Sequence, residues 1–297
     1  MVPWNTFFNI IAPFLAPAVS FDLTIWMTGK RCWCMHNFME RLVKEDNYRT
    51  PPEASKYSKG RCISLTFHLR MLPIYWRNSR KAVKGLYDGD QWALSSLEVF
   101  RLLESVGVRF EIENMDMLYS LPGPCVYVGN HMSTLETMIL PCIVQPARNT
   151  TFVVKESLTR FPVFGPVMRS RDPIAVGRKD PRDDLKTVLE GGKDRLASGT
   201  SVIVFPQTTR STIFDPEQFN TIGIKLARRA QVPVVPVALK TDAWAKGSIV
   251  KDFGPIRPDK HVHICFGEPL DVTGSGRDEH EQVVQFIQGK LEEWGSE

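Results

Sequence analysis

The sequence predicts an α/β domain built on a largely parallel sheet with helices on both faces. From residue 107 onward, short apolar segments alternate with longer amphipathic ones. This alternation is typical of strand–helix–strand units, in which a helix connects two parallel strands. Several of the short segments are apolar at every position, as expected when both faces of a sheet are covered. A composition of 43% apolar and 24% charged residues over 297 positions fits an ordinary folded chain.

The predicted elements follow one another in a regular order. An amphipathic helix at residues 92–106 comes first, because leucine and phenylalanine recur there at helical spacing. Strands are predicted at residues 108–112, 125–128, 151–154, 174–176, 200–205, 232–239 and 262–266. Helices are predicted at residues 133–143, 181–197, 218–229 and 279–294, and a turn rich in phenylalanine, proline and glycine at residues 161–166.

Residues 1–90 are predicted to form an N-terminal, membrane-associated helical region ahead of an α/β domain at residues 91–297. Residues 4–27 are mostly apolar and long enough to cross a bilayer, but Pro13, Pro17 and Asp22 interrupt them. A shallow membrane anchor, a true span and a buried hydrophobic hairpin are all open interpretations of this segment.

A second apolar stretch, at residues 62–76, follows a polar linker at residues 44–61. Four cations come directly after it: Arg77, Arg80, Lys81 and Lys84. Apolar side chains beside such a cluster suit contact with anionic lipid headgroups. An amphipathic helix packed on the domain, with a solvated basic face, explains the same pattern equally well.

Charge and cysteine content exclude several classes of protein. The net charge is only +4, and no concentrated basic face is visible, so no nucleic-acid partner is expected. The six cysteines are scattered without the spacing of a zinc site or of a disulfide framework. We therefore expect a reducing compartment and no metal.

His131 and Glu136 form the first candidate for chemistry. His131 follows a predicted strand and precedes a predicted helix, which places it at the carboxyl end of the strand, where open α/β sheets bind their ligands. A carboxylate that orients an imidazole makes the imidazole a general base. Ser133 and Glu136 also match a helix capping box, so capping of the helix is an alternative role for Glu136. The two roles are compatible, because a glutamate in the first helical turn can also face His131.

Two further loops carry polar side chains after strands. The segment FPQTTRS at residues 205–211 offers amide, hydroxyl and guanidinium groups, and Arg210 can bind a phosphate through two hydrogen bonds. The segment VGR at residues 176–178 ends in Arg178, with Lys179 and Arg182 nearby. Taken singly, each loop is explained as well by solvated surface charge.

The order and spacing of these segments resemble the glycerolipid acyltransferase family. Its first block, NHxSxxD, resembles NHMSTLE at residues 130–136, and its glycine-rich second block resembles residues 164–178. Its third block, FPEGTRS, resembles FPQTTRS at residues 205–211, and its VPVVPV-type strand matches residues 232–237. The resemblance covers residues 97–270. It implies an α/β acyltransferase domain, and it fits the N-terminal membrane-contacting helices that many members carry.

Two departures from the family pattern concern the site. Glu136 stands where the family has aspartate, which keeps the charge on a longer arm. Gln207 and Thr208 replace glutamate and glycine, so one charge is lost and a side chain is added. These changes affect positions that hold the acceptor in the family.

The resemblance implies an O-acyltransferase that moves a fatty acyl group from acyl-CoA or acyl-carrier protein to a lysophospholipid such as 1-acyl-glycerol-3-phosphate. These thioesters would be co-substrates, and no cofactor is expected. His131 and Glu136 would be catalytic, and the acceptor would be bound by a set of polar residues: Arg178, Gln207, Thr208, Thr209, Arg210 and, more weakly, Lys155. The implied protein is associated with a membrane surface, with its active site on the cytoplasmic side. A thioester hydrolase, a non-catalytic lipid-binding relative and a soluble α/β protein with a buried N-terminus are the alternatives.

Overall fold

The computed structural model of the protein describes residues 46–56, 62–207, 209–248 and 250–295. The apolar segment at residues 4–27, with its predicted membrane anchor, lies outside them. The strands are β1 (Tyr48–Arg49), β2 (Arg109–Glu113), β3 (Val126–Gly129), β4 (Thr150–Lys155), β5 (Ile174–Val176), β6 (Ser201–Val204), β7 (Val234–Lys240) and β8 (His261–Phe266). The helices are α1 (Ile63–Val83), α2 (Gly89–Ser105), α3 (Met117–Ser120), α4 (Leu135–Val144), α5 (Glu156–Thr159), α6 (Phe164–Ser170), α7 (Pro181–Ala197), α8 (Ile222–Ala230) and α9 (Arg277–Gly295).

The eight strands form one sheet in the order β1-β2-β8-β7-β3-β6-β4-β5. Strands β7, β3, β6, β4 and β5 are mutually parallel neighbours, so their carboxyl ends lie at one edge. Strand β8 runs antiparallel to β7, β2 runs parallel to β8, and β1 closes the sheet antiparallel to β2. The predicted α/β fold with a largely parallel sheet is confirmed.

Helices cover the sheet in two layers. Helices α7, α8 and α9 pack on it through an apolar cluster that includes Val128, Val202, Leu226 and Ile287. Helices α1, α2, α4 and α6 pack against one another in a second layer. Successive side chains of a strand point to opposite faces of the sheet, and here helices cover both faces. The buried parallel strands are therefore apolar at nearly every position.

Three sequence predictions were wrong in detail. The predicted turn at residues 161–166 already contains the start of α6, and the Gly165 amide donates to the Phe161 carbonyl at 2.8 Å where the turn meets the helix. The predicted helix at residues 218–229 begins only at Ile222, because a 3-10 turn, Pro216–Gln218, precedes it. The predicted linker includes β1, which pairs with the edge strand β2.

Helix α1 contains the second apolar stretch and most of the cations that follow it. Phe67 and Met71 are fully buried, and the helix packs on α2 and α6. Leu65, Leu69, Trp76 and Val83 remain 46–73% exposed. Within the part of the chain that the structure describes, no helix combines the length and apolar character needed to cross a membrane.

Candidate active site

The candidate residues lie at the edge where the five parallel strands end. His131 follows β3, and residues 205–211 follow β6, the neighbour of β3 on one side. Thr241 follows β7, the neighbour on the other side. Lys155 ends β4, and Arg178 comes two residues after β5. The carboxyl edge of an open parallel sheet is the usual place for a ligand site.

His131 and Glu136 are in direct contact. The His131 Nδ1 atom lies 2.8 Å from Glu136 Oε1, and the imidazole remains 16% exposed while the carboxylate is fully buried. Because an ionised carboxylate can only accept a hydrogen bond, Nδ1 carries the hydrogen and Nε2 keeps its lone pair. No described residue binds Nε2. The arrangement leaves a basic nitrogen available to a ligand.

Five polar groups hold the Glu136 carboxylate. Besides His131, the backbone amides of Met132 and Ser133 donate to Oε1 at 2.7 and 2.8 Å, and the Thr241 hydroxyl donates to Oε2 at 2.5 Å. The Ser133 hydroxyl lies 2.9 Å from Oε2. Burial alone would raise the pKa of Glu136, but the hydrogen bond from His131, together with those from the other donors, lowers it below its usual value. The carboxylate therefore stays ionised in the interior.

The predicted capping box of Ser133 and Glu136 is only partly present in the structure. Helix α4 begins one residue later than a capping box requires, with Thr134 as its N-cap residue and no side-chain bond from that cap. The Ser133 hydroxyl accepts instead from the Leu135 amide at 3.0 Å, while Glu136 accepts from the Ser133 amide. Glu136 thus supports the start of the helix and contacts His131 at the same time.

Asn130 and Phe205 fix the position of His131 from two sides. The buried Asn130 amide group pairs with β7, donating to the Leu239 carbonyl at 2.7 Å and accepting from the Leu239 amide at 2.9 Å. These two side-chain hydrogen bonds extend the pairing of β3 with β7 by one residue. The backbone at Asn130 is therefore free to leave the strand and enter the loop. The Phe205 ring lies parallel to the imidazole, with ring centroids 4.6 Å apart.

The β6 loop contacts the backbone around His131. The buried Gln207 side chain accepts a hydrogen bond from the His131 amide through Oε1 at 2.5 Å, and the Ser211 amide donates to the His131 carbonyl at 2.9 Å. Thr209 is exposed, and Thr208 lies outside the described residues. Gln207 therefore orients the histidine segment, a contact that needs only an oxygen acceptor and no charge.

Arg210 is held at the start of α4. Its Nη1 atom lies 2.7 Å from Asp252 Oδ1 and donates to the Thr134 hydroxyl. The guanidinium is 24% exposed. Thr134 comes three residues after His131, so the structure brings Arg210 close to the His131–Glu136 pair.

Lys155 and Arg178 lie farther along the same edge. Strand β5 is three strand spacings from β3, which puts the end of β5 roughly 14 Å away. Arg178 is exposed and has φ 56°, an unfavourable conformation for a side chain other than glycine or asparagine. Asp184 Oδ1 accepts from the amides of Gly177 and Arg178 at 2.9 and 3.2 Å and so stabilises this turn. The edge thus presents cations on one side of the imidazole.

Two residues of the site were missed by the sequence analysis. Thr241 directly follows β7, the strand of the fourth block, and its role follows only from the adjacency of β7 and β3. Asp252 lies in an irregular connection with no motif, so no signal in the sequence marked it.

Known proteins match the part of the chain that contains these residues. The profile of the acyltransferase family matches residues 109–240, a segment that includes His131, Glu136 and Arg210. The 1-acyl-sn-glycerol-3-phosphate acyltransferase of Pseudomonas aeruginosa is 29% identical over 193 residues, which are 64% of this chain and 69% of that protein. The chloroplastic 1-acyl-sn-glycerol-3-phosphate acyltransferase BAT2 of Brassica napus is 34% identical over 134 residues, 44% of this chain and only 37% of that protein.

A solved structure shares the fold. The crystal structure of the 1-acyl-sn-glycerophosphate (LPA) acyltransferase PlsC from Thermotoga maritima superposes with a TM-score of 0.60 and 18% identity, covering 79% of this chain and 95% of that one. The family match and the named relatives identify the class of protein as an O-acyltransferase. The family match and these relatives support the resemblance to the glycerolipid acyltransferase family that the sequence blocks indicate.

Proposed function

We propose that this protein transfers a fatty acyl group from acyl-CoA or acyl-carrier protein to the free hydroxyl of a lysophospholipid, with 1-acyl-glycerol-3-phosphate as the acceptor. The observation that carries the proposal is the 2.8 Å contact between His131 and a buried Glu136 at the carboxyl edge of the sheet. The relatives from Pseudomonas aeruginosa and Brassica napus are named 1-acyl-sn-glycerol-3-phosphate acyltransferases, which supports the choice of acceptor.

His131 acts as a general base in this mechanism. Its Nε2 takes the proton of the acceptor hydroxyl while the oxygen attacks the thioester carbonyl. Glu136 keeps the imidazole in the required tautomer and stabilises the imidazolium that forms. When the tetrahedral intermediate collapses, the C–S bond breaks and the imidazolium returns its proton to the leaving thiolate. The acyl group then resides on the acceptor oxygen and the proton on the released thiol, and no step of the reaction uses a cofactor.

The charged intermediate and the acceptor need donors. Backbone amides of the loop at residues 207–209 supply hydrogen bonds to the oxyanion, which is the usual way in which a site stabilises such a charge. Arg210 holds the acceptor phosphate, and Arg178 and Lys155 add positive charge farther along the same edge. The hydroxyls of Thr208 and Thr209 and the amide of Gln207 bind the glycerol portion.

Product analysis tests the function directly. We expect purified protein, given acyl-CoA or acyl-carrier protein thioesters and a panel of lysophospholipids, to form the diacyl product from 1-acyl-glycerol-3-phosphate, measured by mass spectrometry. Free fatty acid without diacyl product would identify a thioester hydrolase instead. Lipid binding without any turnover would identify a non-catalytic relative.

We further propose that α1 rests on the cytoplasmic surface of a membrane, where the acceptor resides. Leu65, Leu69, Trp76 and Val83 recur at spacings of four and seven residues, so these exposed side chains share one face of the helix. Arg80 lies 5.7 Å from the centre of the Trp76 ring and brings a cation to the same face. An apolar row beside cations is the pattern of a helix that lies on anionic lipid.

A double substitution tests this contact. We expect Leu69→Ser with Trp76→Ser to lower the partition coefficient onto phosphatidylglycerol vesicles at least tenfold in flotation, because burying each of these side chains contributes about 1.5–3 kcal/mol. Tyr119→Ser is the matched control, since Tyr119 is an aromatic residue that is 40% exposed on a different helix, α3. A partition coefficient within twofold of the wild type would contradict a membrane contact by α1.

A further inference from the structure

We propose that Asp252 is a positioning residue that holds Arg210 for the acceptor phosphate. The inference rests on the proposed function, since it concerns how that acceptor is held. Asp252 lies in the connection between β7 and β8, 42 residues after Arg210, and belongs to none of the family blocks seen in the sequence.

The contacts of Arg210 use one end of its guanidinium. Its Nη1 atom meets Asp252 Oδ1 at 2.7 Å and the Thr134 hydroxyl, and that hydroxyl in turn donates to Asp252 Oδ1 at 3.1 Å. Nη1 carries two hydrogens, so one goes to each partner and the triangle is satisfied. No described residue binds Nε or Nη2. These two atoms form the parallel fork that binds a phosphate through two hydrogen bonds.

The connection that carries Asp252 is tightly built. The two ends of this connection lie side by side, with amide-to-carbonyl bonds from Ala245 to Pro255 at 3.0 Å and from Arg257 to Ala243 at 2.8 Å. A Cβ atom at Gly254 would lie 1.7 Å from the Ala245 carbonyl oxygen. The backbone at Gly254 therefore lies so close to that at Ala245 that only glycine fits there. The position of Asp252 is therefore set by backbone geometry.

Helix α1 anchors the same segment from outside. Trp244 packs edge-on against Phe67, with ring centroids 4.9 Å apart. The Gly254 carbonyl lies 2.8 Å from His68 Nε2, and the Ile256 amide donates to the Ser64 hydroxyl at 2.9 Å. Asp252 is thus fixed relative to both α1 and α4, which gives it the rigidity that a positioning residue requires.

Calorimetric binding of a short-chain 1-acyl-glycerol-3-phosphate tests the proposal without depending on turnover. We expect Asp252→Ala to weaken binding about tenfold, because a guanidinium released from Nη1 must be ordered again when the phosphate binds. Asp252→Asn keeps the oxygen acceptor and should lie between the two, which guards against a folding defect in the alanine variant. Asp259→Ala is the matched control, since it removes an exposed carboxylate paired with Arg257 in the same connection.

A double-mutant cycle separates positioning from general structural damage. In an Arg210→Gln background, Asp252→Ala should cause no further loss of affinity, because the group that it positions is gone. Equal losses in both backgrounds, or unchanged or tighter binding by Asp252→Ala alone, would overturn the proposal, as would a wild-type protein that does not bind the ligand. A wild type that binds but never transfers an acyl group would refute the proposed function and leave the positioning role standing.

Discussion

His131→Ala should lower kcat/KM for acyl transfer at least a hundredfold. General-base catalysis by a positioned side chain contributes roughly 10²–10⁴-fold, and no other described side chain contacts Glu136 in a way that could replace the imidazole. The loss should appear in kcat, because proton removal occurs only in the transition state. Steady-state release of thiol from acyl-CoA in the presence of 1-acyl-glycerol-3-phosphate measures it.

The exposed His261, at the start of β8, provides the control. His261→Ala should leave the rate within about twofold of the wild type, since the residue lies outside the site. Circular dichroism on both variants separates loss of chemistry from loss of fold. Near-normal turnover by His131→Ala would remove the base from the mechanism.

Glu136→Gln should lower the transfer rate about tenfold to a hundredfold while leaving the geometry in place. The backbone amides of Met132 and Ser133 both point at Oε1, so they will hold the amide oxygen of glutamine toward His131. The amide nitrogen then faces the hydroxyls of Ser133 and Thr241, which can accept from it. The substitution therefore removes the negative charge that stabilises the imidazolium and little else. Turnover like that of the wild type would leave Glu136 only its role at the start of α4.

The same variant predicts a change in the pH dependence of stability. Since the folded-state pKa of Glu136 is below the usual value of 4.5, its ionised form stabilises the fold above about pH 4.5, and this contribution is lost as the pH falls through the folded pKa. We expect wild type to exceed Glu136→Gln by about 1–3 kcal/mol in free energy of unfolding at pH 7, from urea titrations. The difference should shrink on acidification below pH 4.5. A difference that stays constant or widens there would contradict the assignment.

Local relations in this site were readable from the sequence. His131 and Glu136 are five residues apart, so a loop followed by the first turn of a helix is enough to bring them together. The strands of the central sheet were recognised because both of their faces are covered, which leaves continuous apolar runs such as Ser201–Val204.

Contacts that depend on the order of strands in the sheet could not be predicted from the sequence. Thr241 reaches Glu136 from 105 positions away only because β7 lies beside β3, an adjacency that apolar patterning does not encode. The reversal of β8 against β7 was equally invisible, since buried parallel and antiparallel strands carry similar residues. Asp252 combines both difficulties, because its contact with Arg210 depends on a tertiary fold-back that no local motif announces.

The most direct test of the central hypothesis is single-turnover thiol release from acyl-CoA with three acceptor conditions. These are 1-acyl-glycerol-3-phosphate, its analogue lacking the sn-2 hydroxyl, and no lipid. If His131 activates the acceptor hydroxyl, rapid thiol release requires the intact acceptor and is absent in the other two conditions. Equally fast release with the deoxy analogue or without lipid would contradict that mechanism, because the histidine would then be activating water.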